Sequence, residues 1–228
     1  MPLPTRRALL ALSIAGPLAL AVGGARADSE QQRLVDRARI VVDEFLADPN
    51  FQRMRVYVQN AYAVIVVPDL LKGGFFLGAE YGQGVLLARD VRSGAWSDPV
   101  FLDLYGGSIG LQFGGKASDV VITVMNQGAL DKILGSNFKI GTDASVAAGP
   151  VGAGVGAATT VQFGEDLYVF SRGKGLYGGL SVEGTAILIK SDWNNRYYGQ
   201  PVTTAAILKE RSVTNTGSQA LRESLARF

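Results

Sequence analysis

From Tyr62 onward, apolar residues recur at every second position in short segments divided by glycine, and this period of two constrains the fold more than any other feature. Tyr62 to Val67 is an apolar run closed by Pro68. Phe75, Leu77, Ala79 and Tyr81 alternate with Phe76, Gly78, Glu80 and Gly82; Gly82-Gln83-Gly84 reads as a turn, and Val85 to Asp90 as the returning strand. Ile109, Leu111 and Phe113 alternate again, as do Val120, Ile122 and Val124, and Leu167–Arg172, Leu176–Glu183 and Thr185–Lys190 complete the series. Such segments predict an antiparallel meander, and a sheet of this many strands needs its edges hidden. The expected class is α+β, mainly β: an antiparallel glycine-rich sheet closed or stacked as a barrel or sandwich, with N-terminal helices and short peripheral helices.

Where the period changes, helices are expected. Leu34, Ala38, Val41 and Phe45 fall on one stripe of a helix over Ser29–Leu46, and a second helix is expected over Phe51–Asn60. Asn126 can cap Gln127–Leu134, with Gly135 as the stop. Ser191-Asp192 can start a short turn through Tyr198, and a polar linker, Ser212–Ser218, precedes a small helix from Gln219. Residues 1–27 read as a leader, 28–60 as a helical segment packed on the core, 61–210 as the β domain, and 211–228 as linker and terminal helix. The stretch Ala144–Thr160 holds almost only Ala, Gly, Val and Thr and is expected as a small-residue hairpin turning at Gly149-Pro150.

Two absences narrow the chemistry. The chain has no cysteine, which removes disulfides, thiol catalysis and a lipid-modified N-terminal cysteine. It has no histidine, which removes Ser-His-Asp catalysis and the usual zinc sites. The glycine clusters fit no phosphate-binding loop or dinucleotide fingerprint. Carboxylate pairs such as Glu165-Asp166, or Glu80 with Glu183, read as surface acids. No enzyme and no cofactor is expected.

The first 27 residues resemble an export signal. Arg6 and Arg7 precede an apolar stretch, Ala8–Val22, and Ala25-Arg26-Ala27 places cleavage between Ala27 and Asp28. The Arg6-Arg7 pair also fits a twin-arginine signal. The expected location is therefore a bacterial periplasm or cell envelope, or secretion. Without this segment, 19 bases face 20 acids, so the remainder has no net field to attract nucleic acid.

Basic residues recur at predicted turns: Lys72, Arg172, Lys174 and Arg196. Lysine and arginine donors beside glycine suit lipid headgroup phosphates, and Trp193, Tyr197 and Tyr198 have the amphipathic character of an interface. Lys72-Gly73 and Lys174-Gly175 open two similar segments, which are either like-looking hairpins or a pseudo-symmetric pair.

Several motifs occur in a recognisable order: Leu71-Lys72-Gly73-Gly74-Phe75, Tyr81-Gly82-Gln83-Gly84-Val85-Leu86, Gly107-Ser108-Ile109-Gly110-Leu111-Gln112, Asp143 to Pro150, Ser171-Arg172-Gly173-Lys174-Gly175, and Tyr197-Tyr198-Gly199. This order, over roughly Ala61–Leu208, resembles the SYLF domain, a lipid-binding module of actin-patch proteins. The resemblance implies non-catalytic binding of anionic lipid. Combined with the export signal, it leads to the expectation of a bacterial exported member that binds anionic phospholipid headgroups. The alternative is a structural or protein-interaction domain of the envelope without lipid. Eukaryotic members of the family also bind actin, a partner that an exported bacterial protein would not meet. The oligomeric state is left open.

Overall fold

The computed structural model describes residues 29–74, 77–109, 116–135, 138–152, 163–173 and 182–228. The leader, including Ala27 and Asp28, lies outside them, as do Lys174 and most of the segment expected as a strand over Leu176–Glu183.

The chain starts with α1, Glu30–Ala47, whose Ser29 hydroxyl accepts from the Gln32 amide at the N-cap. The stripe read from the sequence is the buried one: Leu34, Val35, Ala38, Val41, Val42 and Phe45 all face inward. A 3-10 turn at Pro49–Phe51 leads to α2, Met54–Asn60. The sheet strands follow: β1, Ala63–Gly74; β2, Leu77–Ala88; β3, Val100–Ile109; β4, Lys116–Val124. After α3, Gln127–Ile133, come the short strands β5, Phe138–Lys139, and β6, Val146–Ala148, then β7, Leu167–Gly173, and β8, Ala186–Ile189. The chain closes with α4, Ser191–Tyr198, α5, Thr204–Leu208, and α6, Gln219–Leu225.

The strands form one eight-stranded sheet in the order β5-β8-β3-β2-β1-β4-β7-β6. The α+β, mainly β class holds: the sheet curls between helices, and one strand pair departs from the antiparallel pattern. β6 runs parallel to β7, so the described start of the small-residue stretch joins the sheet edge; the return arm of the expected hairpin, from residue 153, lies outside the described residues.

Alternation along the strands divides the core in two. Val64, Val66, Val85, Leu87, Phe101, Val121 and Phe170 project to one face, under α1, α2, α4 and α6. Ile65, Val67, Leu86, Leu102, Val120 and Ile122 project to the other, under α3 and α5. α1 packs directly on β1, β2 and α6. Among the described residues, no helix is long and apolar enough to cross a membrane.

Two breaker signals have another meaning here. Pro68 does not end its strand: β1 continues past it through a bulge between Val67 and Leu70, where Asp69 takes a left-handed backbone. Gly82-Gln83-Gly84 is not a turn but the middle of β2. A Cβ on Gly82 would stand 2.7 Å from Val67 Cγ1, and one on Gly84 would stand 2.9 Å from the Val66 carbonyl oxygen. These glycines are required by close strand packing beside the bulge.

Candidate functional site

The predicted headgroup cations are engaged by carboxylates. Lys72 sits in β1 directly opposite Glu80 of β2, and its Nζ is 2.6 Å from Glu80 Oε2. The Glu80 carboxylate is buried, and the Thr185 hydroxyl donates to its other oxygen. Glu80 can lie there because its neighbour across the strand is Gly106, where a Cβ would overlap the Glu80 side chain.

Arg172 projects from β7 to the opposite face, the one that carries Phe170, and pairs with Glu44 of α1 and Asp119 of β4. The bond to Asp119 is 3.2 Å, and Asp119 also accepts from the Asp69 amide. Lys72 and Arg172 thus occupy different faces of the sheet and do not converge.

Arg196 is exposed on the last turn of α4. The aromatic corner is part of the core. Trp193 and Tyr197 are buried, with ring centroids 6.0 Å and 5.0 Å from that of Phe101. The Tyr198 hydroxyl donates to the Pro99 carbonyl at 2.7 Å, and burial raises its phenol pKa far above the ordinary value. Asp166 is a structural staple: hydrogen bonds from Asn126 Nδ2 and then the Ser145 amide hold its carboxyl below the ordinary value.

What the residue pattern did not disclose is an uncovered part of the helix-bearing sheet face. Leu71, Tyr81 and Tyr105 are direct neighbours across β1, β2 and β3, and they are 53%, 38% and 44% exposed. Leu188 of β8, 43% exposed, stands opposite Asp103, two residues along β3 from Tyr105. The Tyr81 and Tyr105 ring centroids are 5.1 Å apart with planes tilted by 43°. Burial, and then the nearby Asp103 carboxylate, raise both phenol pKa values.

Beside this row runs a groove of about 620 Å³ between the outer side of α1 and the sheet. Its walls include Ile40, Gln83 and Trp193, and its rim carries charges of both signs, Glu30 and Asp36 with Arg33 and Arg37. Arg37 is held 3.2 Å from Asp69. Apolar alternation placed Tyr81 in a strand, but its exposure depends on where the covering helices stop.

The family model described as "Ysc84: Las17-binding protein actin regulator" matches residues 105–228. The chain belongs to the Ysc84 family. It is 32% identical over 160 residues to Protein YSC84 of Saccharomyces cerevisiae, an overlap covering 68% of this chain and 34% of that protein. It is 33% identical over 152 residues to the yeast LAS seventeen-binding protein 3, covering 64% of this chain and 32% of the relative. SH3 domain-containing YSC84-like protein 1 of Xenopus laevis is 30% identical over 137 residues, covering 60% and 41%. The chain therefore spans between 32% and 41% of the length of these relatives.

These relatives correct five expectations, all of which follow from the reading of the leader. The relatives found include proteins of yeasts, frog, rat, mouse and cattle, so the assignment to a bacterial exported member does not stand. With it go the periplasmic, envelope or secreted location, the export-signal and twin-arginine readings, and the role of an envelope phospholipid binder. The inference had rested on a short basic and apolar segment, a compositional pattern, while the domain itself matches Ysc84 proteins. Actin is no longer excluded as a partner once export is set aside, since the family is described as an actin regulator. A Ysc84-family chain is a non-catalytic binding protein, in agreement with the expectation of no enzyme.

Proposed function

We propose that this chain is a non-catalytic actin-binding module that docks through the uncovered sheet face. The observation that carries this reading is the row of Leu71, Tyr81, Tyr105 and Leu188, the exposed large apolar side chains among the described strand residues, which stand together beside a groove. Exposed contiguous aromatic and aliphatic side chains mark interaction surfaces, and tyrosine is enriched at their energetic centres. Actin is favoured as the partner because the matching family model describes an actin regulator. The rim supports a protein partner over a lipid surface. Glu30 and Asp36 alternate with Arg33 and Arg37, whereas an anionic bilayer calls for cations of one sign.

The test is co-sedimentation of the chain with filamentous actin and, separately, with anionic and neutral vesicles at low and high salt. Saturable pelleting with filaments is expected. Pelleting with anionic vesicles alone would transfer the function to lipid.

A further inference from the structure

Asp103 lies on the sheet face that borders the groove. It is 7% exposed, and it stands directly between Gln83 of β2 and Leu188 of β8. Directly opposed residues project to the same side of a sheet, so its carboxylate shares a face with Gln83, a wall of the groove. Asp103 Oδ2 receives Lys190 Nζ at 3.2 Å and the Tyr105 hydroxyl at 3.2 Å. Lys190 Nζ in turn lies 3.9 Å from the ring centroid of Trp193, another wall. Asp103 Oδ1 is buried and has no hydrogen-bond partner among the described residues.

A buried carboxylate oxygen without a donor is costly, which leaves Asp103 with acceptor capacity that its neighbours in the sheet do not fill. The tilted rings of Tyr81 and Tyr105 stand on the same sheet face. A carboxylate acceptor beside aromatic faces suits a planar cation with several N–H donors better than a lysine point charge.

We infer that Asp103, Tyr81 and Tyr105 form the seat for an arginine side chain projected by the docked protein. This rests on reading the uncovered face as a docking surface; it does not require the partner to be actin.

The experiment follows backbone amide shifts of the chain by NMR during titration with N-acetyl-arginine amide, with N-acetyl-citrulline amide as the uncharged isostere. Saturable shifts around Tyr81 and Asp103 are expected with the arginine probe alone, weakened about tenfold by Asp103→Asn. Thermal melting checks the fold of that variant. Should it melt early, Tyr81→Leu, at a 38% exposed position, carries the comparison and is expected to weaken the response similarly. Equal responses to arginine and citrulline, or an arginine response unchanged in the folded variants, would overturn the seat. Arginine-specific shifts in a chain that does not pellet with filaments would uphold the seat and remove actin. Filament binding without any arginine-specific shift would do the reverse.

Discussion

Lys72 and Glu80 face each other across β1 and β2 as an ion pair 2.6 Å long, with side chains only 16% and 4% exposed. The Thr185 hydroxyl completes the cluster, so Glu80 ties the β1–β2 ladder to the segment that enters β8. Replacing Glu80 with alanine leaves an enclosed ammonium without this carboxylate, and breaking a buried pair in this way costs about 3 kcal/mol. Urea unfolding of Glu80→Ala is expected to show that loss, while Glu80→Gln, which keeps the Thr185 contact, loses less.

Gly106 permits this cluster, because any Cβ there overlaps the Glu80 side chain. Gly106→Ala is expected to destabilise by roughly 1–3 kcal/mol, the range for overpacking a filled interior. Gly107→Ala next to it, where a Cβ would come no nearer than 3.9 Å to the Gly78 oxygen, serves as the control and is expected to cost less in the same unfolding assay.

The C-terminal segment is held by one buried carboxylate. Asp98 Oδ1 accepts from the Ser218 hydroxyl at 2.6 Å and from the Asn215 amide at 3.1 Å, and Arg222 stands 4.0 Å from Oδ2. Asp98→Ala is expected to cost about 2 kcal/mol, since the Asn215 amide and the Ser218 hydroxyl lose this acceptor and Arg222 loses its carboxylate neighbour. Hydrogen exchange within residues 211–228 is expected to accelerate more than in β1 or β2; uniform acceleration would contradict a local anchor.

Asp166 sets a pH dependence. Its folded pKa is depressed by the bonds from Asn126 and Ser145, so the stability it contributes is full above the ordinary carboxylate value. That contribution is lost as pH falls through the lower folded value, which places the window below about pH 4. Asp166→Asn is expected to flatten the acid limb of a stability–pH curve while leaving its slope near neutral pH unchanged.

The helices were legible because capping and periodicity are local: the Leu34 to Phe45 stripe and the Asn126 cap each did what their spacing implies. The strands were legible by alternation, but glycine was ambiguous. It marks turns and close approaches alike, and at Gly82 and Gly84 only the packing against Val66 and Val67 distinguishes them. The site was hardest to read. Lys72 looked like a turn cation because its register with Glu80 depends on the bulge after Val67. Tyr81 fell on the apolar alternation of its strand, but its exposure is set by where the covering helices stop, which is a tertiary property. Trp193 and Tyr197 erred the other way, with amphipathic side chains that the fold encloses around Phe101.

The account is tested most directly by measuring filamentous-actin affinity for the wild-type chain and for Leu71→Ser, Tyr81→Ser and Leu188→Ser, each already exposed and each checked by thermal melting. The prediction is wild-type melting with affinity weakened about tenfold or more per substitution, as for residues central to an interface. Affinity unchanged in all three folded variants would contradict docking through this sheet face.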